Sequence, residues 1–281
     1  MYNDCVMSFK LSKRHQSGPQ FTRTDRRCDH WWFGAWNALV NSALLLAGRP
    51  HITTAPGEIA FDPHLHSMYS HCSISDPITL IRLARRIGLG AIGIMDHNCI
   101  QGALKAMDCA DYMKSEGNLP EDFIVVPGVE INSVEGHIGA LFVEQDIPTA
   151  MSARETVDRI HDIGGLAVAV HPFHSTGIGE AVFDMPFDAI EIECGSVFGK
   201  NLAMRNRELA DDAAFEHTAK LGSSDAHYVG AIASCYTIVN DIDKPSLESL
   251  KQALLAANCR PCASVPYQRV SNMLGRIRQL G

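Results

Sequence analysis

Positive charge is in short supply here: 24 Lys and Arg stand against 32 Asp and Glu, a formal net charge of −8 over 281 residues. No global basic field is available to hold long nucleic acid by its phosphates, so stable duplex binding is not expected. Long apolar runs are missing too. The most apolar stretch, Trp31 to Gly48, falls short of the about 20 residues a membrane span needs and is interrupted by Asn37 and Asn41. Organised cysteine is also absent. The 9 cysteines are odd in number and scattered through apolar segments such as those around Cys109, Cys194 and Cys235, which excludes a disulfide framework and favours a reducing cytoplasm. Cys259-Arg260-Pro261-Cys262 has no second pair and no neighbouring His, so it reads as two free thiols. There is no internal repeat and no low-complexity tract.

Histidine, by contrast, is placed with a pattern. The chain has 13, and most of them fall where strand-like apolar runs end. Asp62-Pro63-His64-Leu65-His66 follows Gly57 to Phe61; in an extended segment side chains two apart point the same way, so His64 and His66 can face one ion. Asp225 and His227 repeat that spacing. Between them His97 follows Ala91 to Met95, Glu130 follows Phe123 to Val129, His137 leads into Ile138 to Val143, and His171 follows Leu166 to Val170. Neutral imidazole and carboxylate are ordinary ligands of zinc, iron and manganese, and a carboxylate can bridge two ions. A lone histidine at a strand end is usually a surface or hydrogen-bonded residue. The repetition from strand to strand is what argues for a metal centre, whereas His15, His30, His51, His161 and His217 lie in tails or helix-like stretches and read as surface residues.

Asp62 to Ser67, Ile94-Met95-Asp96-His97-Asn98, Gly128-Val129-Glu130, Ala169-Val170-His171-Pro172 and Gly222 to His227 resemble, in order, the motifs of the PHP (polymerase and histidinol phosphatase) family, over about residues 58 to 240. The resemblance implies an α/β fold, a distorted TIM-like barrel of about seven βα units, with two or three divalent ions (Mn, Fe or Zn) at the C-terminal ends of the strands, where barrel active sites sit. Carried over motif by motif, His64, His66, Glu130 and Asp225 would hold one ion, and Glu130, His137 and His171 a second. A third would take His97, His227 and a residue of the loop after His66, which offers His71, Cys72 or Asp76, with His71 favoured. Met95 and Cys194 stand where relatives often carry Thr and Asn.

The implied reaction is hydrolysis of a phosphomonoester by a metal-bridging hydroxide, with His227 or His97 protonating the leaving oxygen. His174, Arg205 and Arg207 are the candidate phosphate contacts. The implied substrate is a small phosphorylated metabolite or nucleotide, such as a nucleoside 3′,5′-bisphosphate, or the 5′ end of a short oligonucleotide. One alternative is an amidohydrolase-type C–N hydrolase, which commonly bridges its metals with a modified Lys; no Lys ends a strand here. A non-catalytic metal-binding barrel is the other.

The chain divides into a basic tail and apolar helix over 1–57, the barrel over 58–240 and a helical extension over 241–281, including a terminal helix over 268–280. The apolar segment reads first as a helix packed on the barrel or an interface, and second as a membrane-surface anchor. Helices are expected over 77–88 after a capping Asp76, over 101–116, over 152–164 from a Ser152/Glu155 capping box, over 201–216 and over 245–257, with strands over 187–193 and 233–239.

Overall fold

Runs rich in Val, Ile, Leu and Ala are buried along almost every residue, the pattern of strands covered on both faces rather than one. In the computed structural model, which describes residues 50–196, 200–265 and Tyr267 together with Ser42, Leu46 and Gly48, these runs form a single mixed sheet. Its strands are β1 (Ile59–Leu65), β2 (Ala91–His97), β3 (Ile124–Asn132), β4 (His137–Leu141), β5 (Leu166–Ala169), β6 (Ala189–Cys194), β7 (Ala219–Ser223), β8 (Cys235–Val239) and β9 (Cys259–Ala263). The order across the sheet is β7-β6-β5-β4-β3-β2-β1-β8-β9. β1, β2 and β3 run parallel, as do β5, β6 and β7, while β4 is reversed between β3 and β5 and β8 is reversed beside β1.

The sheet curls until a bridge between Leu65 and Ala226 joins the end of β1 to the segment after β7, leaving a nearly closed barrel. This is the expected α/β architecture. The repeat of βα units is broken at β4, which joins β3 through a short connection rather than a helix, so that the first residue of β4, His137, pairs with the last of β3, Asn132.

Alternate side chains on the strands feed two apolar layers. The outward set, including Ile92, Ile94, Val125 and Ile190, packs under helices; the inward set, including Phe61, Met95, Val126, Val168 and Leu221, fills the barrel. α1 (Pro77–Ile87) shows why a helix forms where it does. Asp76 accepts a hydrogen bond from the Thr79 amide at 2.9 Å, Pro77 opens the first turn, and Gly88 ends the helix at φ 106°. A side chain at Gly88 would also strike the Ile52 carbonyl, since a Cβ there would lie 2.1 Å from its oxygen. Leu80 and Ile81 are fully buried, each contributing about 1.5–3 kcal/mol by leaving water.

α2 (Gln101–Ser115) and α3 (Ala153–Asp162) follow, the latter opened by the complete Ser152/Glu155 capping box. The long helix expected over 201–216 is shorter: α4 (Lys200–Glu208) stops, and a 3₁₀ turn (Ala213–Phe215) succeeds it. Asp212 accepts from the Ala214 amide at 2.8 Å, so an Asp that reads as helix surface acts as a local cap and starts a new turn. α5 (Leu247–Leu255) brings Leu250, Ala253 and Leu254 into the inward layer beside Ile59 and Ile124, closing the end of the barrel from which the strands start. Cys259 and Cys262 lie on β9 as free thiols.

The basic tail, the helix expected over 268–280 and nearly all of the apolar segment 31–48 fall outside the described residues. Among the described residues no helix is long and apolar enough to cross a membrane.

Candidate metal centre

The inward face of each strand changes character at its far end. On β3 the inward residues run Ile124, Val126, Gly128, Glu130; on β2 they run Ala91, Gly93, Met95, His97. Gly128 keeps this passage clear, since a Cβ there would fall 2.6 Å from the Ala140 carbonyl oxygen and 2.9 Å from Met95. At the rim, His64, His66, His97, Glu130, His137, His171, Asp225 and His227 come together from β1, β2, β3, β4 and the segments after β1, β5 and β7.

Glu130 is the hub. It is fully buried, with Oε1 2.7 Å from His137 Nδ1 and 3.0 Å from His171 Nε2, and with Oε2 2.9 Å from His97 Nδ1 and 3.4 Å from His66 Nε2. Despite that proximity, Glu130 Oε2 and His97 Nδ1 are not aligned for a hydrogen bond. His66 Nε2 also lies 3.0 Å from Asp225 Oδ1. Burial opposes the charged form of Glu130, but His64, His137 and His171 outweigh it and hold the carboxyl well below its ordinary range. Asp225 is likewise pulled down, against burial, by His64 and His227. His64 is held well above the usual imidazole value by Asp225, Glu191 and Glu130 in spite of burial. Burial, reinforced by His227, drives His66 well below it.

The ring nitrogens facing away from the centre determine which ones face it with a lone pair. Ser70 donates its only hydroxyl proton to Asp96 Oδ1 at 2.6 Å, so toward His66 Nδ1, 3.1 Å away, it can only accept. A carboxylate oxygen of Glu191 lies 3.0 Å from His64 Nδ1 and also only accepts. Both rings therefore carry a proton on Nδ1, and their Nε2 atoms meet 3.1 Å apart beside the Glu130 and Asp225 carboxylates, where a metal ion would take the place of the second proton that the raised His64 favours. Ring nitrogens and anionic oxygens that converge in this way need a positive charge among them, a proton on His64 or a metal ion in its place. The donor set thus fits a divalent metal, and three groups of donors are close enough to act together: His64, His66 and Glu130; His97, Glu130 and His137; and His66, Cys72, His97 and His227.

The scaffold beneath includes residues to which the sequence reading gave no role. Glu191, on β6, ties β1 to the segment after β5: one oxygen faces His64, the other accepts the His171 amide at 2.8 Å. Its sequence signal was an acid in the middle of the apolar run Ala189-Ile190-Glu191-Ile192. Asp96 accepts from the Ser67 amide at 2.7 Å and from the Ser67 and Ser70 hydroxyls, pinning the loop after His66. Asp62 accepts from the Ser224 and Ala233 amides, each at 2.9 Å, and burial, only partly offset by those bonds, pushes its carboxyl up to about 7. Ser196 donates to Asp225 Oδ2. His171 and Asp225 have φ of 30° and 48°, a left-handed backbone costing on the order of 1–3 kcal/mol each for a residue with a side chain. The Glu191 bond to the His171 amide helps to hold the first of these.

Other expected site residues lie at or beyond the margin. His71 is exposed, its ring 5.1 Å from that of His97, and it is not in any of the three donor groups; Asp76 caps α1. His174 is half-buried with its ring 5.4 Å from His171. Arg205 pairs with Glu180 and lies over Phe173, and Arg207 pairs with Glu193 at 2.6 Å.

Comparison with known proteins agrees with this picture. The PHP-associated family profile matches residues 205–259. An uncharacterized protein of Methanocaldococcus jannaschii is 32% identical over 143 residues, which is 47% of this chain and 79% of that protein. In structure the chain is similar to PsfC from Pseudomonas syringae, with TM-score 0.55 and 18% identity over 79% of this chain and 98% of the other. It is also similar to a putative metal-dependent phosphoesterase from Bifidobacterium adolescentis, with TM-score 0.50 and 16% identity over 70% of this chain and 96% of the other. Ordered strand-end motifs, a barrel that gathers them at one rim and the matching C-terminal profile lead to one assignment: the chain belongs to the PHP-domain family.

Proposed function

We propose that this protein is a metal-dependent phosphoesterase that hydrolyses a phosphomonoester of a small metabolite or nucleotide, including a nucleoside 3′,5′-bisphosphate or the 5′ end of a short oligonucleotide. The observation that carries the reading is the convergence of His64 Nε2 and His66 Nε2, 3.1 Å apart, between two carboxylates. His64, His66, Glu130 and Asp225 would hold one divalent ion and Glu130, His137 and His171 a second, with Glu130 shared. His97 and His227 with a residue of the loop after His66 would hold a third. Such ions, when bound, supply Lewis acidity toward phosphoryl oxygens and lower the pKa of water near neutrality.

The chain's own residues do the rest. Glu191 and Ser70 fix the ring orientations of His64 and His66, so neither has to turn during turnover. His227 keeps a quarter of its side chain exposed and His97 about a tenth, so both can reach a substrate from the rim. With the third position empty, these two are the proton donors to the leaving oxygen; with it filled, they serve as ligands and solvent supplies the proton. His174, beside His171, would meet a phosphate oxygen. Arg205 and Arg207 would have to leave Glu180 and Glu193 to do so.

The test is phosphate release by Mn-, Fe- or Zn-loaded protein from sugar phosphates, nucleotides, nucleoside 3′,5′-bisphosphates and 5′-phosphorylated oligonucleotides, alongside amide and lactone substrates. Chelator-sensitive phosphate release that His64→Ala or Asp225→Ala abolishes is the expected result. Metal uptake with silence on every ester, or turnover of an amide or lactone instead, would overturn the proposal.

A further inference from the structure

We infer that the loop after His66 contributes a sulfur ligand: the Cys72 thiolate, with His97 and His227, forms a mixed nitrogen–sulfur site that prefers zinc, iron(II) or cobalt(II) over manganese or magnesium. The inference rests on the metal-centre reading above and specifies one of its three positions. Its basis is the course of the loop. Ser67 and Ser70 are tied down to Asp96, Ser73 Oγ donates to the His66 carbonyl at 3.0 Å, and the Met68 amide donates to the Ser75 carbonyl at 2.8 Å. Between these ties the chain turns Cys72 into the interior, 8% exposed, and leaves His71 outside.

The Cys72 sulfur then shares a group with one nitrogen each of His66, His97 and His227, all within 4.8 Å of one another. His66 Nε2 already faces His64, Glu130 and Asp225, which leaves Cys72, His97 and His227 as the donors of a separate position. The imidazoles are packed together around this position: the His66 ring lies 4.3 Å from that of His227 and 4.6 Å from that of His97. Metal binding there replaces the thiol proton, which leaves to solvent, so one proton is released for each ion that gains a sulfur bond. A soft thiolate ligand discriminates against hard cations that want only oxygen and nitrogen, and this gives the position a selectivity that the all-nitrogen and oxygen positions lack.

Cobalt(II) substitution reads this directly, without substrate. Wild-type protein loaded with cobalt should show a near-ultraviolet sulfur-to-cobalt charge-transfer band, and X-ray absorption of the zinc form should show a sulfur neighbour at about 2.3 Å. Both signals should persist in His71→Ala. Both should vanish in Cys72→Ser, with the bound metal falling by one ion per chain. Cobalt bound with visible d–d absorption but without a sulfur band overturns the inference and leaves the metal centre standing. A band that survives Cys72→Ser, or that disappears only in His71→Ala, also overturns it. Failure of wild-type protein to bind any cobalt would instead overturn the metal-centre reading itself. Since Cys72 is buried, Cys72→Ala is the second variant, and retained circular dichroism in either one establishes that loss of the band is not loss of fold.

Discussion

The two ends of the barrel interior are built from the same strands and obey different rules. At the end where the strands begin, Ile59, Ile124, Leu166 and Val239 pack with Leu250 and Leu254 of α5, and only volume and apolarity matter. At the other end the same inward positions carry His97 and Glu130, where each atom needs a partner in a particular direction. The apolar end supplies the free energy that lets the polar end exist. Burial opposes the charge of a carboxylate such as Glu130, and it is the imidazoles of His64, His137 and His171 gathered around it that outweigh that opposition. Each charge at the polar end depends on its neighbours, and bound metal should stabilise the whole fold as any ligand of the native state does.

The largest expected effect lies at the polar end. Glu130→Gln removes the charge faced by His64, His66, His97, His137 and His171, so metal content should drop by at least one ion per chain and turnover should fall to background. Elemental analysis with phosphate release checks this. Near-normal rates at limiting metal would show that Glu130 is not shared. Chelation of the wild-type protein should lower its Tm, and the same chelation should leave the Tm of Glu130→Gln nearly unmoved.

Next is a change at the apolar end. Phe61→Ala deletes a fully buried ring from the interior layer and should destabilise the protein by about 3–5 kcal/mol, measured by denaturant unfolding. Metal bound per folded molecule should stay the same. If it fell as steeply as in Glu130→Gln, the two ends would not be separable and the comparison would fail. Smaller again is Glu191→Gln, which keeps the volume but weakens the grip on His64 Nδ1 and on the His171 amide. Metal affinity or turnover should fall about 10–100-fold, the usual effect of losing a residue that orients a ligand, with little change in unfolding midpoint of the metal-free protein.

What the sequence made legible divides along the same line. Strand ends, the Asp76 and Ser152 caps and the order of the motifs are local: each follows from a few neighbouring residues, and the structure has them where the spacing implied. The reversal of β4 was not legible, because nothing within His137 to Leu141 states whether a strand returns through a hairpin or a helix. Nor was Glu191, whose partners lie 127 positions away on β1 and 20 positions away beside His171. The loop after His66 was the hardest case. Whether His71 or Cys72 faces inward depends on serines reaching Asp96 on β2, a contact across 26 to 29 positions that no local pattern encodes. The helix expected over 201–216 shows the opposite failure, in which Asp212 looked like helical surface and its capping bond to the Ala214 amide ended the pattern.

The smallest effect separates a cap from a ligand within that loop. Asp76 lies close enough in sequence to His66 to have been a third-ion donor, yet its side chain accepts from the Thr79 amide at 2.9 Å and starts α1. A cap of this kind contributes about 1 kcal/mol, and its removal frays one helix turn on the outward layer while leaving the rim untouched. Asp76→Ala should therefore lower stability by about that much with metal stoichiometry unchanged, as should be seen by unfolding and elemental analysis on one sample. Asp76→Asn, which can still accept the Thr79 amide, should recover most of the loss. A ligand would behave the other way round: replacement by Asn would remove the charge, the ion would leave, and the stability of the metal-free protein would hardly move.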